Sequence, residues 1–211
     1  MKIKKIGHCC LVVEEGALKI LTDPGVWSTR QNEEKNIDVV LITHEHADHF
    51  HVESVKKVLK NNPEAKIYTV KGVGKILDAE NIKYELLEHG QSVTVNNVLI
   101  EAFGEKHAVI YPGVPQVDNT GYFIANRFFY PGDVFFNPGK PVEILALPVA
   151  GPWVKMAEAL DYGKEIKPKY CFPVHDGMLK IIEPFHILPE KFLGAEGIEF
   201  SVIEIGQEKE F

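Results

Sequence analysis

Basic side chains are the scarce charge in this sequence. Of 211 residues, 23 are Lys or Arg against 30 Asp or Glu, a formal net charge of −7. A field of that sign repels phosphate backbones, so broad nucleic-acid binding is not expected. Cysteine is sparse as well. Cys9, Cys10 and Cys171 cannot all pair within the chain, and adjacent Cys9 and Cys10 are badly placed to bridge each other. That usage fits a reduced, cytoplasmic protein. No apolar run approaches the ~18 residues of a membrane span. The basic opening Met1-Lys-Ile-Lys-Lys reaches Glu14 and Glu15 without a sustained apolar core, so a signal peptide is not expected either. Linkers, repeats and low-complexity stretches are missing, which leaves a single domain over residues 1–211 as the reading.

What is present is a run of short apolar segments cut by turn residues. Residues 2–6, 10–13, 18–21 and 39–42 are rich in Val, Ile and Leu and are punctuated by Gly7, Gly16 and Pro24-Gly25, as strands are. Val52, Val55, Val58 and Leu59 recur at helical spacing until Asn61-Asn62-Pro63 stops them. Further on, strands are predicted at 67–70, 84–87, 92–95, 98–102, 121–125, 128–130, 144–147, 170–173 and 197–205. Short helices are predicted at 73–79 and 154–160. Asn96-Asn97 and Asn126-Arg127 have the chemistry of hairpin turns. Many strands with a few interspersed helices predict an α/β (α+β) fold of two sheets covered by helices.

The chemistry gathers directly after the buried strand at 39–42. Thr43-His44-Glu45-His46-Ala47-Asp48-His49 puts three imidazoles and a carboxylate within six residues at a strand end. Such ends deliver side chains into clefts from rigid backbone. Imidazole nitrogens and carboxylate oxygens are the donors that zinc, iron and manganese accept. With 9 His and eight Asp in the chain, four fixed positions match by chance only about 6 × 10⁻⁴ times. A solvated polar turn would gain nothing from imidazoles that repel one another when protonated. His107, Asp133 and His175 share the same context, each a few residues past an apolar strand, and are the candidates to complete the site.

His44-x-His46-x-Asp48-His49, His107, Gly132-Asp133 and Pro173-Val-His175 follow the ligand order of the metallo-β-lactamase superfamily, which the chain resembles from about residue 1 to 176. The opening Gly7-His8-Cys-Cys-Leu, Leu21-Thr-Asp23-Pro and Leu145-Ala-Leu-Pro-Val-Ala-Gly151 look like its small metal-dependent hydrolase branch, the one similar to ascorbate-6-phosphate lactonase. The resemblance implies an αββα sandwich with two divalent metal ions at one edge of the sheets: zinc, or alternatively manganese or iron(II). His44, His46 and His107 would hold the first ion and Asp48, His49 and His175 the second, with Asp133 bridging them. The sequence departs from the secreted β-lactamases of one subclass, which carry Cys where Asp133 stands. It departs from flavodiiron proteins, which have Glu at the position of His46 and an attached flavin domain. Neither the helical domain of hydroxyacylglutathione hydrolases nor the RNA-gripping arm of the transfer-RNA-processing members is recognisable.

The resulting expectation is a hydrolase that uses a metal-bridging hydroxide on a small ester, lactone or phosphodiester. Asp48 would also accept the proton of the attacking water. The rivals are a mononuclear non-haem iron dioxygenase of the same fold and a metal-stabilised binding protein without turnover. A small molecule is the expected partner, with no nucleic acid and no membrane, and oligomeric state is left open. Asp23 is read as the carboxylate behind an imidazole ligand, or else as an ordinary Asp-Pro turn. His8 is read as a pocket-edge residue or a partner behind the ligands, or else as a core histidine bonded to backbone, and His186 as a cleft residue able to protonate a leaving group. His51 and His89 are read as surface and turn residues, Cys9, Cys10 and Trp153 as packing residues. The loop at 111–120 is expected to overhang the site.

Overall fold

The computed structural model describes residues 1–28 and 30–211. Among these, two seven-stranded sheets and four α-helices form the layers helix, sheet, sheet, helix. The first sheet is laid down by β1 (Lys2–Gly7), β2 (Cys10–Glu15), β3 (Leu18–Thr22), β4 (Val39–Leu41), β5 (Lys66–Thr69) and β6 (Glu85–Leu86) in chain order, with α1 (Val52–Asn61) and α2 (Lys71–Ala79) between its later strands. The second contains β7 (Ser92–Val95), β8 (Val98–Phe103), β9 (Gly121–Ile124), β10 (Phe128–Tyr130), β11 (Ile144–Pro148), β12 (Tyr170–Val174) and β13 (Glu199–Phe200). Helices α3 (Met156–Ile166) and α4 (Glu183–Gly194) belong to this half, and β14 (Glu208–Glu210) returns to pair with β1.

Alternation along each strand builds three apolar layers. Leu11, Val13, Ile20, Val39 and Leu41 point between the sheets, where Tyr122, Phe128 and Phe172 meet them. Cys10, Val12, Leu21 and Val40 point the other way, onto Val55 and Val58 of α1 and Val73 and Leu77 of α2. Phe123, Phe129, Leu145 and Leu147 pack on Ala159 and Tyr162 of α3 and Leu193 of α4. Strands covered on both faces read as continuous apolar runs, which is why 39–42 carried no alternation in the sequence. Each fully buried Val, Leu, Ile or Phe contributes about 1.5–3 kcal/mol, so the sheet ends that carry the polar residues are held by a large apolar framework.

The predicted elements differ from the observed ones at several places, and β14 was not predicted at all. The turn between β9 and β10 is a three-residue loop with positive φ at Ala125 and Asn126, one residue earlier than Asn126-Arg127. Of the strand predicted at 197–205, only Glu199–Phe200 pairs with the sheet. Helix α4 was not predicted: Pro184 at its start and Pro189 inside it, with Ile187 and Phe192 exposed, blur the helical signal. The Asn96-Asn97 hairpin forms as predicted, both residues at positive φ. No described helix is long and apolar enough to cross a membrane.

Candidate metal centre

All candidate donors gather at one end of the two sheets, for a topological reason. Strand β1 is antiparallel to β2 and β2 to β3, so β1 runs with β3, which is parallel to β4. In the other sheet β8 and β10 are each antiparallel to β9, and β10, β11 and β12 are parallel. His8, Asp23 and His44 thus leave the C-terminal ends of co-oriented strands, as do His107, Asp133 and His175. His8, Asp23 and His175 adopt positive φ (33°, 37° and 62°). Strained non-glycine residues are concentrated where a chain must aim a side chain. At Gly25 a Cβ would lie 1.8 Å from the Asp48 carbonyl oxygen, so only glycine lets the 23–25 segment pass against the Asp48–His49 turn.

The residues predicted as ligands form two adjoining clusters. In the first, the donor atoms of His44, His46, His107 and Asp133 all lie within 4.8 Å of one another. His44 Nε2 is 3.2 Å from His46 Nδ1, and His107 Nε2 is 3.2 Å from Asp133 Oδ2. The other nitrogens of His44 and His107 are engaged. Thr43 Oγ1 donates to Asp23 (2.8 Å), so it accepts from His44 Nδ1 (2.9 Å), and His107 Nδ1 donates to the Ala108 carbonyl (2.6 Å). Both bonds turn Nε2 lone pairs toward the cluster centre.

In the second cluster, Asp48 Oδ2 lies 3.4 Å from His175 Nε2 and 3.8 Å from His49 Nε2. Donor atoms of His8 and Cys9 come within 4.8 Å of those of His49 and His175. Asp133 reaches both clusters: its Oδ1 is 3.1 Å from His49 Nε2 and its Oδ2 is 2.9 Å from His175 Nε2. Behind His49 sits Asp23, fully buried, which accepts from His49 Nδ1 (2.7 Å), Thr43 N–H (2.8 Å) and the Tyr130 hydroxyl. The carboxylate read from Asp23-Pro24 is therefore the partner of an imidazole in the site.

Whether these residues suit a metal ion is decided by their unpartnered atoms. His49 Nε2, Asp133 Oδ1 and both His175 nitrogens are buried without a hydrogen bond, although opposing donors and acceptors stand about 3 Å away. Buried polar atoms rarely go unsatisfied. A tetrahedral zinc with Zn–N of about 2.0–2.1 Å separates its ligand atoms by about 3.3–3.4 Å, close to the spacings found here. The residues fit divalent ions.

Charge within the site is strongly redistributed. Burial, with His49 beside it, pushes the His44 imidazole well below its ordinary range. Burial also disfavours charge on His49 and His175, but Asp133 and Cys9 outweigh it, holding His49 well above the usual value and His175 up to about 10. Burial raises the Cys9 thiol, yet His8, His49 and His175 bring it down to about 6. Asp48 and Asp133 are likewise opposed by burial and held well below the carboxylate range, Asp48 chiefly by the neighbouring His175 and His8 imidazoles, Asp133 by the charges of His49 and His175. Both carboxylates are thus ionised, the form a metal requires.

A cavity of about 220 Å³ opens over both clusters. Its polar lining is His46, Asp48, His107, Asp133 and His175; its apolar lining is Trp27, Ile110, Pro152, Trp153 and Met178. Ile110, three residues past His107, reaches the cavity, but no residue of the 111–120 loop expected to overhang the site lines it. A larger depression, about 1160 Å³, shares no residue with either cluster. Two readings are corrected. His186 does not line the cavity; its Nε2 is bonded to Asp176 (2.9 Å). Trp153 is more than a packing residue, since its indole N–H donates to Asp133 Oδ2 (2.9 Å). Cys9 packs between the sheets as predicted and in addition faces the second cluster, which nothing in Cys9-Cys10 could signal. Cys10 faces the helix layer.

A profile of the Beta-lactamase superfamily domain matches residues 2–175. The chain belongs to the metallo-β-lactamase superfamily. It is 32% identical over 188 residues to protein Rv0786c of Mycobacterium tuberculosis, covering 85% of each chain. It is 27% identical to a UPF0173 metal-dependent hydrolase of Carboxydothermus hydrogenoformans, over 83% of this chain and 84% of that one. Its fold is that of Igni18, a metallo hydrolase of Ignicoccus hospitalis, with a TM-score of 0.77 at 21% identity, over 100% of this chain and 98% of the other. The αββα sandwich expected from the motif is therefore correct. The narrower likeness to ascorbate-6-phosphate lactonase stays an expectation from sequence.

Proposed function

We propose that this metal-dependent hydrolase of the metallo-β-lactamase superfamily cleaves a small ester, lactone or phosphodiester with two divalent ions. The observation that carries the reading is the convergence of seven donor residues on a space where buried lone pairs have no partner. His44, His46 and His107 would hold one ion, Asp48, His49 and His175 the other, and Asp133 both. Divalent ions bound there supply water of lowered pKa and polarise the scissile group. The protein does the rest. Asp48, ionised and lining the cavity, accepts the proton of the attacking water. Trp153 holds the Asp133 carboxylate, and Asp23 keeps the proton of His49 on Nδ1. Zinc suits this imidazole-rich donor set, with manganese or iron(II) as the alternatives.

The cavity narrows the substrate. At about 220 Å³ it is below the range usual for drug-sized ligands. None of its lining residues is Lys or Arg, so a charge on the substrate away from the ions would find no partner. That favours uncharged esters and lactones with apolar substituents. The test is elemental analysis together with a panel of lactones, thioesters, phosphodiesters and β-lactams, on protein loaded separately with zinc, manganese or iron. Two ions per chain and metal-dependent hydrolysis are expected. One filled cluster, with the other empty under excess metal and turnover dependent on oxygen, would move the assignment to an iron dioxygenase.

A further inference from the structure

His8 has no part in the scheme above, yet the fold goes to some length to place it. The ring is buried on a residue with φ +33°, one position past β1. Its Nδ1 accepts the Gly177 N–H (3.2 Å). A backbone N–H can only donate, so in the neutral ring the proton must be on Nε2. Nε2 in turn lies 3.2 Å from Asp48 Oδ2, an ionised oxygen that can only accept. The direction of the bond is therefore fixed, from His8 to Asp48.

We propose that His8 is a positioning residue: it takes one lone pair of Asp48 Oδ2 and turns the other toward His49 and His175, and does not itself hold a metal ion. The inference rests on the reading of Asp48 as ligand and proton acceptor. His8 could join Cys9, His49 and His175 around an ion only by giving up one of its two bonds: through Nε2 it would release Asp48, through Nδ1 it would release Gly177. The Gly177 contact is itself built. A Cβ on Gly177 would sit 3.1 Å from His8 Cβ and 3.2 Å from its Cα, so glycine permits the approach. The neighbouring Asp176 is anchored by the buried Lys5 ammonium (2.7 and 2.8 Å) and by His186 (2.9 Å). Strand β1 and helix α4 thus hold the turn whose N–H orients His8.

Glutamine and asparagine separate the two ring nitrogens. The amide nitrogen of His8→Gln can reach the place of Nε2 and donate to Asp48, whereas that of His8→Asn reaches only the place of Nδ1. Cobalt(II) affinity of the second cluster, by chelator competition without substrate, is one readout; kcat and KM on the best panel ester are the other. His8→Gln should stay within about threefold of wild type in both. His8→Asn and His8→Ala should weaken the second cobalt and lower kcat by about 10–100-fold, the usual cost of losing a partner of a ligand, with KM moving less than about threefold. On an Asp48→Asn background His8→Ala should add less than about twofold. Equal loss in His8→Gln and His8→Ala, with an altered cobalt spectrum, would make His8 a ligand; wild-type values in His8→Ala would remove it from the site. If Asp48→Asn alone changes neither cobalt binding nor turnover, the fault lies in the underlying reading. If no panel substrate turns over, the cobalt affinities still decide the role of His8.

Discussion

The two clusters share Asp133 and are otherwise braced in different ways. In the first, imidazoles lean on neutral groups: His44 on the Thr43 hydroxyl and His107 on the Ala108 carbonyl. In the second the contacts are to carboxylates: His49 leans on Asp23, and Asp48 takes a hydrogen bond from His8. The first cluster includes the half-buried His46, while His49 and His175 in the second are enclosed. The difference teaches how one strand end, His44 to His49, can feed two clusters of donor atoms. Side chains before the bend reach out toward the later strands, and those after it fold back onto a buried carboxylate.

Substitutions should separate the clusters. The largest effect is expected for Asp133→Ala, which deprives both of a shared carboxylate: metal content by elemental analysis should fall well below two per chain, with hydrolysis lost. His107→Ala should remove only the first ion, and cobalt spectra should still report an intact second cluster. Asp48→Asn should do the reverse. The amide is nearly isosteric but neither carries the charge nor takes the proton, so kcat should fall about 10²-fold or more while the first ion stays. Asp23→Asn should weaken metal binding at the second cluster by about 10–100-fold, by chelator competition, and at the first by less, through the Thr43 hydroxyl that links Asp23 to His44. The smallest effect concerns stability. Burial raises the Asp176 carboxyl, but His186 and Lys5 hold it below its ordinary value. A lowered native pKa stabilises the fold above the unfolded value near ~3.9 and ceases to do so as pH falls through the native one. Thermal melts of metal-free wild type should therefore drop below about pH 4 more steeply than those of Asp176→Asn, which begins lower because Lys5 is left buried without its partner.

What the sequence revealed follows from where the physics is local. His44, His46, Asp48 and His49 were legible because one strand end concentrates them. His107, Asp133 and His175 were legible because each follows an apolar run, although their convergence needed the resemblance to a family or the structure itself. Asp23 was visible beside Pro24 as one of two readings. Trp153 and Cys9 were not legible as site residues: an indole N–H reaching Asp133, or a thiol facing three imidazoles, depends on strands brought together from distant parts of the chain. The same holds for Lys5 and Asp176, 171 residues apart. Helix α4 escaped because two prolines and an exposed apolar face mimic an irregular segment.

Three of the donors that close the site, His107, Asp133 and His175, leave the second sheet, and the rest leave the first. Any ion seated among them is therefore a clasp across the interface of two half-structures. Its binding energy enters the folding equilibrium, about 2.7 kcal/mol for one ion at a hundredfold excess over its dissociation constant. For this chain, metal supply and the fraction of molecules folded become one variable, and a shortage of the ion should be felt first as a loosened sheet edge.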